Sequence, residues 1–221
     1  MNNHLGLNLT KVKLPLFNRL PTILLGMLCL VFMLCGAGCD DNDTPTPIVC
    51  DCSADPTGPI TEIESIVIRT TKGYYLLSPY KGFLNICNPL DSSLRQDGLM
   101  ILASGQLKST CEMPNEYPGI QENFVTLENW KVPDDSLFAQ LPGVEIRIIR
   151  SEDYGVPPGF GYYVTVGGMK ILQPHLPAVG GNQPFKTRVD AFKIAVLVAY
   201  KLKAGLHPAI AVNDLVFFKI I

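Results

Sequence analysis

The sequence predicts an α+β protein in which a small antiparallel β-barrel of OB-like kind is followed by a small sheet with one helix. Three observations predict it. From Ile63 to about Val132 the apolar residues fall in short β-branched and aromatic runs, separated by turn residues and lacking helical spacing. After Pro133-Asp134-Asp135 breaks the chain, strand patterns resume at Val144. Only the segment following Thr187 repeats its apolar residues at the spacing of a helix. The expected layout is a leader over 1–38, a tether over 39–59, a β-domain over 60–132, a linker over 133–143 and an α+β domain over 144–221.

The leader carries Lys11, Lys13 and Arg19, and from Ile23 to Leu34 every residue is apolar or Gly. That run of twelve falls short of the roughly 20 residues a bilayer-spanning helix needs, so it reads as the core of a signal peptide. It ends in Gly36-Ala37-Gly38-Cys39, which resembles the bacterial lipobox, with Gly36 where that pattern usually has Leu. The resemblance implies lipidation of Cys39, a palmitate-bearing N-terminus and a lipid bilayer as first partner. Two or three acyl chains, at roughly 0.8 kcal/mol per buried methylene, suffice for stable anchoring. Asp40-Asp41-Asn42-Asp43 then resembles the surface-export signal of Bacteroidota lipoproteins, and it also reads as a solvated spacer of like charges. An outer-membrane lipoprotein, on the periplasmic face or the cell surface, is the localisation these patterns imply. Thr44-Pro45-Thr46-Pro47 and Pro56-Thr57-Gly58-Pro59 complete a proline-rich tether, long enough to reach roughly 25 Å or more.

Composition narrows the partners. The chain has 221 residues, 47% hydrophobic, with a formal net charge of -2. Without the three leader cations, 15 basic and 20 acidic residues remain, so a nucleic-acid partner is not expected. Cys50, Cys52, Cys87 and Cys111 are left over from the leader and the anchor, an even number that predicts two disulfides in an oxidising compartment. A Cys50–Cys52 pair would close a very small ring, which favours crossed pairs to Cys87 and Cys111. A Cys-x-Cys metal site is the competing reading, but it lacks a nearby His; no metal and no cofactor are expected.

In the first domain, strands are predicted over Ile63–Thr71, Tyr74–Leu77, Phe83–Cys87, Gly98–Thr110 and Phe124–Val132. Gly105 inside the fourth predicts a bulge or bend that curls the sheet. The run Gln96-Asp97-Gly98-Leu99-Met100-Ile101-Leu102-Ala103-Ser104-Gly105 resembles a β-domain common in Bacteroidota lipoproteins. Tyr74, Tyr75 and Tyr80 suit either core packing or contact with an oligomeric ligand. In the second domain, Val144–Ile149 is a strand, and Tyr162–Val166 and Met169–Gln173 make a hairpin through Gly167-Gly168. Thr187 with Asp190 predicts a capped helix whose apolar face lies on a sheet, stopped by Gly205 and Pro208. The tail Leu215–Ile221 is apolar enough to be a last strand.

Gly161-Tyr162, Lys170-Ile171, Gln173-Pro174-His175-Leu176-Pro177-Ala178, Gly181-Asn182, Phe185, Asp190-Ala191, Ala195 and Lys201 resemble the Bacteroidota domain of unknown function 4907 family, from about Val144 to the C-terminus. That resemblance implies a small α+β domain of exported proteins and no established activity. Gly-x-Ser-x-Gly, His-Glu-x-x-His and the phosphate loop are absent, and no catalytic residue is assigned. Glu145 and Asp153 are the carboxylates considered as bases, and Gly180-Gly181-Asn182 the turn considered for an anion. Gln173, His175, Asn182 and Phe185 form the candidate recognition loop, with Gln173 and Asn182 bonding loop backbone and His175 left for a partner. The expected function is a non-enzymatic binding or assembly component of the cell envelope whose partner is an envelope protein or, through Tyr154, Phe160, Tyr162 and Tyr163, a glycan. The alternative is a carboxylate-dependent hydrolase of envelope polymers.

Overall fold

The computed structural model describes residues 51–113, 120–133 and 143–221, so the leader, Cys39, Cys50 and most of the 133–143 linker lie outside the described residues. Residues Ile48–Ile221 form one compact unit.

Five strands close into a barrel: β1 (Gly58–Thr70), β2 (Gly73–Ser78), β3 (Gly82–Ile86), β4 (Met100–Glu112) and β5 (Gln121–Lys131), in the order β1-β2-β3-β5-β4. Neighbours are antiparallel except β3 and β5, which run parallel from Phe83 opposite Glu122 to Ile86 opposite Val125. This is a five-stranded barrel of the kind to which OB folds belong. β1 starts at Gly58, and the Thr57 amide already donates to the Leu107 carbonyl at 2.7 Å, so pairing reaches into the stretch that reads as tether. The register shifts between Ser104 and Gly105, where a Cβ on Gly105 would collide with the Thr126 carbonyl oxygen. Glycine is required there by close backbone approach, as a bulge demands.

Successive side chains of a strand face opposite ways, and here both faces are covered. Val67, Leu76, Leu84, Ile101 and Val125 fill the barrel interior, with Leu94 from the 3-10 turn Ser92–Leu94. Ile66, Ile68, Tyr75, Leu77 and Phe83 point outward and are buried all the same, in a second core shared with the rest of the chain.

That second core is built around a three-stranded antiparallel sheet, β6 (Val144–Arg150), β7 (Phe160–Val166) and β8 (Met169–Gln173), in that order. Gly167 and Gly168 have φ of 55° and 85°, the two left-handed positions that a type I′ hairpin needs. Ile146 and Val164, opposite each other, line the sheet's inner face with Tyr162 and Val166. Helix α1 (Arg188–Lys203) lies on that face and also against β2 of the barrel. All ten residues from Ala191 to Tyr200 are therefore buried, whereas a helix resting on one sheet alone keeps a wet side.

The helix ends follow from local chemistry. The Thr187 side chain accepts from the Asp190 amide at 3.0 Å and donates to its carboxylate at 2.7 Å. At the other end Gly205 takes φ 72°, the Gly205 amide bonds the Leu202 carbonyl, and the Leu206 amide bonds that of Lys201 at 2.7 Å, a Schellman pattern.

The expected last strand is not formed. Val212–Phe217 is a short helix, α2, whose first turn is closed by the Ala211 amide donating to the Asp214 carboxylate at 2.8 Å. Leu215, Phe217 and Phe218 turn inward, and the two phenylalanines pack on Phe83 at ring distances of 5.7 and 5.9 Å. Apolar content alone does not distinguish a strand from a buried helical turn; here the outward face of the barrel supplies the surface, and a helical turn presents three apolar side chains to it at once. Among the described residues no helix is long and apolar enough to cross a membrane.

Candidate functional site

The loop from Gln173 to Phe185 is ordered by its own hydrogen bonds. Gln173 Nε2 donates to the His175 carbonyl at 2.9 Å, and the Leu176 amide donates to the Gln183 carbonyl at 2.7 Å. Phe185 is fully buried and exchanges backbone hydrogen bonds with Phe160 at 3.0 and 2.9 Å, so the loop's exit extends the sheet. His175 differs from expectation: its Nδ1 lies 3.2 Å from Gln173 Nε2 and 3.1 Å from the Leu176 carbonyl, which gives the ring a local structural partner. Asn182 differs too. Its side chain is exposed and has no hydrogen bond among the described residues, while its backbone sits at φ 48°. Asn tolerates that left-handed conformation better than most residues. The position selects Asn for its backbone.

The cysteines and aromatics separate by depth. Cys52 is bonded to Cys87, a crossed pair across 35 residues that staples the chain ahead of β1 onto the end of β3, and Cys111 is disulfide-bonded as well. Tyr162 is core, and burial pushes its phenol far above the ordinary range. Phe160 is half-buried beneath the Arg150 guanidinium, 5.9 Å from its centroid, and Tyr163 is half-buried too, which leaves Tyr154 as the exposed member of that aromatic set. Glu145 is paired with Arg147, and Asp153 is exposed on the 3-10 turn Ser151–Tyr154. Among the described residues no group of three or more His, Cys, Asp or Glu is placed to hold a metal ion.

Two constellations lie beyond what the sequence led us to expect. The first is a buried cation. Lys193, in the middle of α1, is 1% exposed, and its ammonium donates to Asp97 at 2.9 Å, Asp190 at 3.1 Å and the Phe218 carbonyl at 3.1 Å. Its three protons thus have three acceptors. Asp97 also accepts from the Arg69 amide at 2.8 Å, and a Cβ on the adjacent Gly98 would fall 2.6 Å from Val189. Asp97-Gly98 in the barrel motif is therefore where the first turns of α1 dock. A charge interrupting the apolar run Ala191–Tyr200 was the available signal.

The second is a cleft of about 340 Å³ where the barrel rim meets the end of α1, lined by Pro79, Tyr80, Gln121, Tyr200, Lys203 and Ala204. The Lys203 ammonium stands 4.6 Å over the Tyr80 ring. Tyr200 is 4% exposed, and its hydroxyl accepts from the Gln121 amide at 3.1 Å. Gly82 makes the approach of Tyr200 possible, since a Cβ there would fall 2.8 Å from the Tyr200 ring. These residues come from a strand turn, a strand start and a helix end, segments far apart in sequence, so no local motif announces them.

Residues 154–216 match the family described as Domain of unknown function (DUF4907). No curated protein and no solved structure matches the chain. The DUF4907 segment begins in the 3-10 turn at Tyr154, takes in β7, β8 and α1, and stops inside α2. It contains the Gln173–Phe185 loop and Lys193, whereas Asp97 and the first strand of the sheet, β6, fall outside it.

Proposed function

We propose that this chain is an exported lipoprotein, held at the outer membrane by an acylated Cys39, that acts as a non-enzymatic binding or assembly component of the cell envelope. The observation that carries the binding part is the cleft at the barrel rim, which brings two phenols, a carboxamide and an ammonium together and has no carboxylate among the six described residues that line it. A mixture of ring surface and hydrogen-bonding groups recognises a ligand. A carboxylate-dependent hydrolase needs two carboxyl groups roughly 5 to 9 Å apart about its substrate, and Glu145 and Asp153 do not line this cleft. The anchoring part rests on the Gly36-Ala37-Gly38-Cys39 run behind a short apolar core.

The test has two arms. Labelling cells with a clickable palmitate should mark the wild-type chain and leave Cys39→Ser unmarked; equal label in both removes the anchor. Envelope material captured on the full chain should be lost from a Tyr80→Ala, Lys203→Ala double variant that unfolds at the wild-type temperature. Capture unaffected by the double variant removes the cleft from the function.

A further inference from the structure

We infer that the cleft between the barrel rim and the end of α1 binds an acidic sugar, a pyranose ring bearing a carboxylate; this rests on the binding reading above and names its ligand class. The charge comes first. Among the described residues the Lys203 ammonium has no carboxylate partner, in contrast to Lys193 and Lys201, which are paired with Asp97 and Asp214. Its place over Tyr80 puts a positive charge on the cleft wall, and the exposed Lys81 stands beside Tyr80 in sequence. Burial and, after it, the charge of Glu64 on β1 raise the Tyr80 phenol, and Glu64 is not among the described lining residues. An anionic group is therefore directed to the Lys203 end of the cleft and away from the Glu64 side.

The rest of the lining asks for more than a simple anion. Tyr200 is buried, its hydroxyl oxygen is taken by the Gln121 amide, and its proton finds no acceptor among the described residues. A hydroxyl that lines the cleft can donate that proton to a ligand oxygen. The Gln121 side chain offers a donor and an acceptor side by side, which matches sugar hydroxyls that do both. Pro79, Ala204 and the edge of Tyr80 supply apolar surface for the C–H faces of a ring. The volume of about 340 Å³ lies at the small end of the range for ligand sites, which suits one or two rings.

The experiment uses the full chain in detergent micelles with three probes: digalacturonate, its uncharged galactose counterpart and acetate, followed by calorimetric titration and saturation-transfer NMR. Digalacturonate should bind about tenfold or more tightly than either other probe. Lys203→Gln should abolish the preference for the acid over the neutral disaccharide, and Tyr200→Phe should weaken both disaccharides while keeping the preference. Equal binding of the neutral disaccharide, or of acetate, overturns the inference while leaving a binding cleft in place. If none of the three binds, the ligand class is wrong; if, in addition, envelope capture survives the double variant above, the cleft itself is not the binding site.

Discussion

The barrel and the sheet-plus-helix half enclose their apolar residues in different ways. The barrel closes on itself, so Val67, Leu76, Leu84, Ile101 and Val125 are dry whatever lies outside, and the Cys52–Cys87 bond ties its entry strand to β3. The three-stranded sheet cannot close. It covers one face with α1, and α1 in turn stays dry only because the outer face of β1–β3 covers its far side. A closed barrel thus needs no partner for its interior, whereas an open sheet with one helix passes its unmet burial on to its neighbour. The seam between them is not purely apolar, since Lys193 with Asp97 and Asp190 sits at it.

The largest effect should come from cutting the two apart. Residues 143–221 alone, though they contain the whole DUF4907 match, should give no cooperative unfolding transition, while residues 51–133 should keep β-sheet circular dichroism and bind a hydrophobic dye through the uncovered Ile66, Ile68 and Phe83. A dispersed, protected amide spectrum from 143–221 on its own would show that the sheet half needs no barrel.

Next in size is the seam. Lys193→Ala leaves two carboxylates and a carbonyl facing a cavity and should cost about 3–5 kcal/mol in denaturant unfolding. Lys193→Met fills the volume and lets the partly exposed Asp97 and Asp190 turn to water, so it should cost clearly less. Equal costs for the two would mean that lost pairing, and not lost packing, is what the seam feels.

The disulfide should act on one side of the comparison only. Replacing Cys52 and Cys87 by Ser removes a 35-residue loop constraint and should lower stability by roughly 2–4 kcal/mol. Hydrogen exchange should locate the loss in β1 and β3 before β7, and uniform loss through both halves would say that the two halves unfold as one.

The smallest effect concerns the Gln173–Phe185 loop. If Asn182 is there for its backbone at φ 48°, Asn182→Ala should cost about 1 kcal/mol and Asn182→Gly nothing or less. Two equal losses would instead assign the role to the carboxamide, and thermal melts of both variants separate the cases.

Strand positions, the helix with its Thr187 cap and Gly205 stop, the hairpin at Gly167-Gly168, the bulge glycine Gly105 and a crossed cysteine pair were all legible in the chain, because each depends on neighbours within a few residues or on a count of cysteines. The Gln173–Phe185 loop was legible as ordered, and the roles of two of its members were not: His175 and Asn182 are defined by where nearby carbonyls and φ angles end up. The tail forms a helical turn where a strand was equally open, because a run such as Leu215–Ile221 carries apolarity without a period.

What sequence alone determined is therefore the list of elements and their ends, which follow from periodicity, capping and turn chemistry acting over short distances. Tertiary structure alone decided that α1 is buried on every side, that Lys193 finds Asp97 across 96 residues, and that Tyr80, Gln121, Tyr200 and Lys203 converge on one cleft. The reason is physical: each depends on a contact between segments that the chain brings together only after the barrel has closed and the helix has docked, and no local pattern encodes that distance.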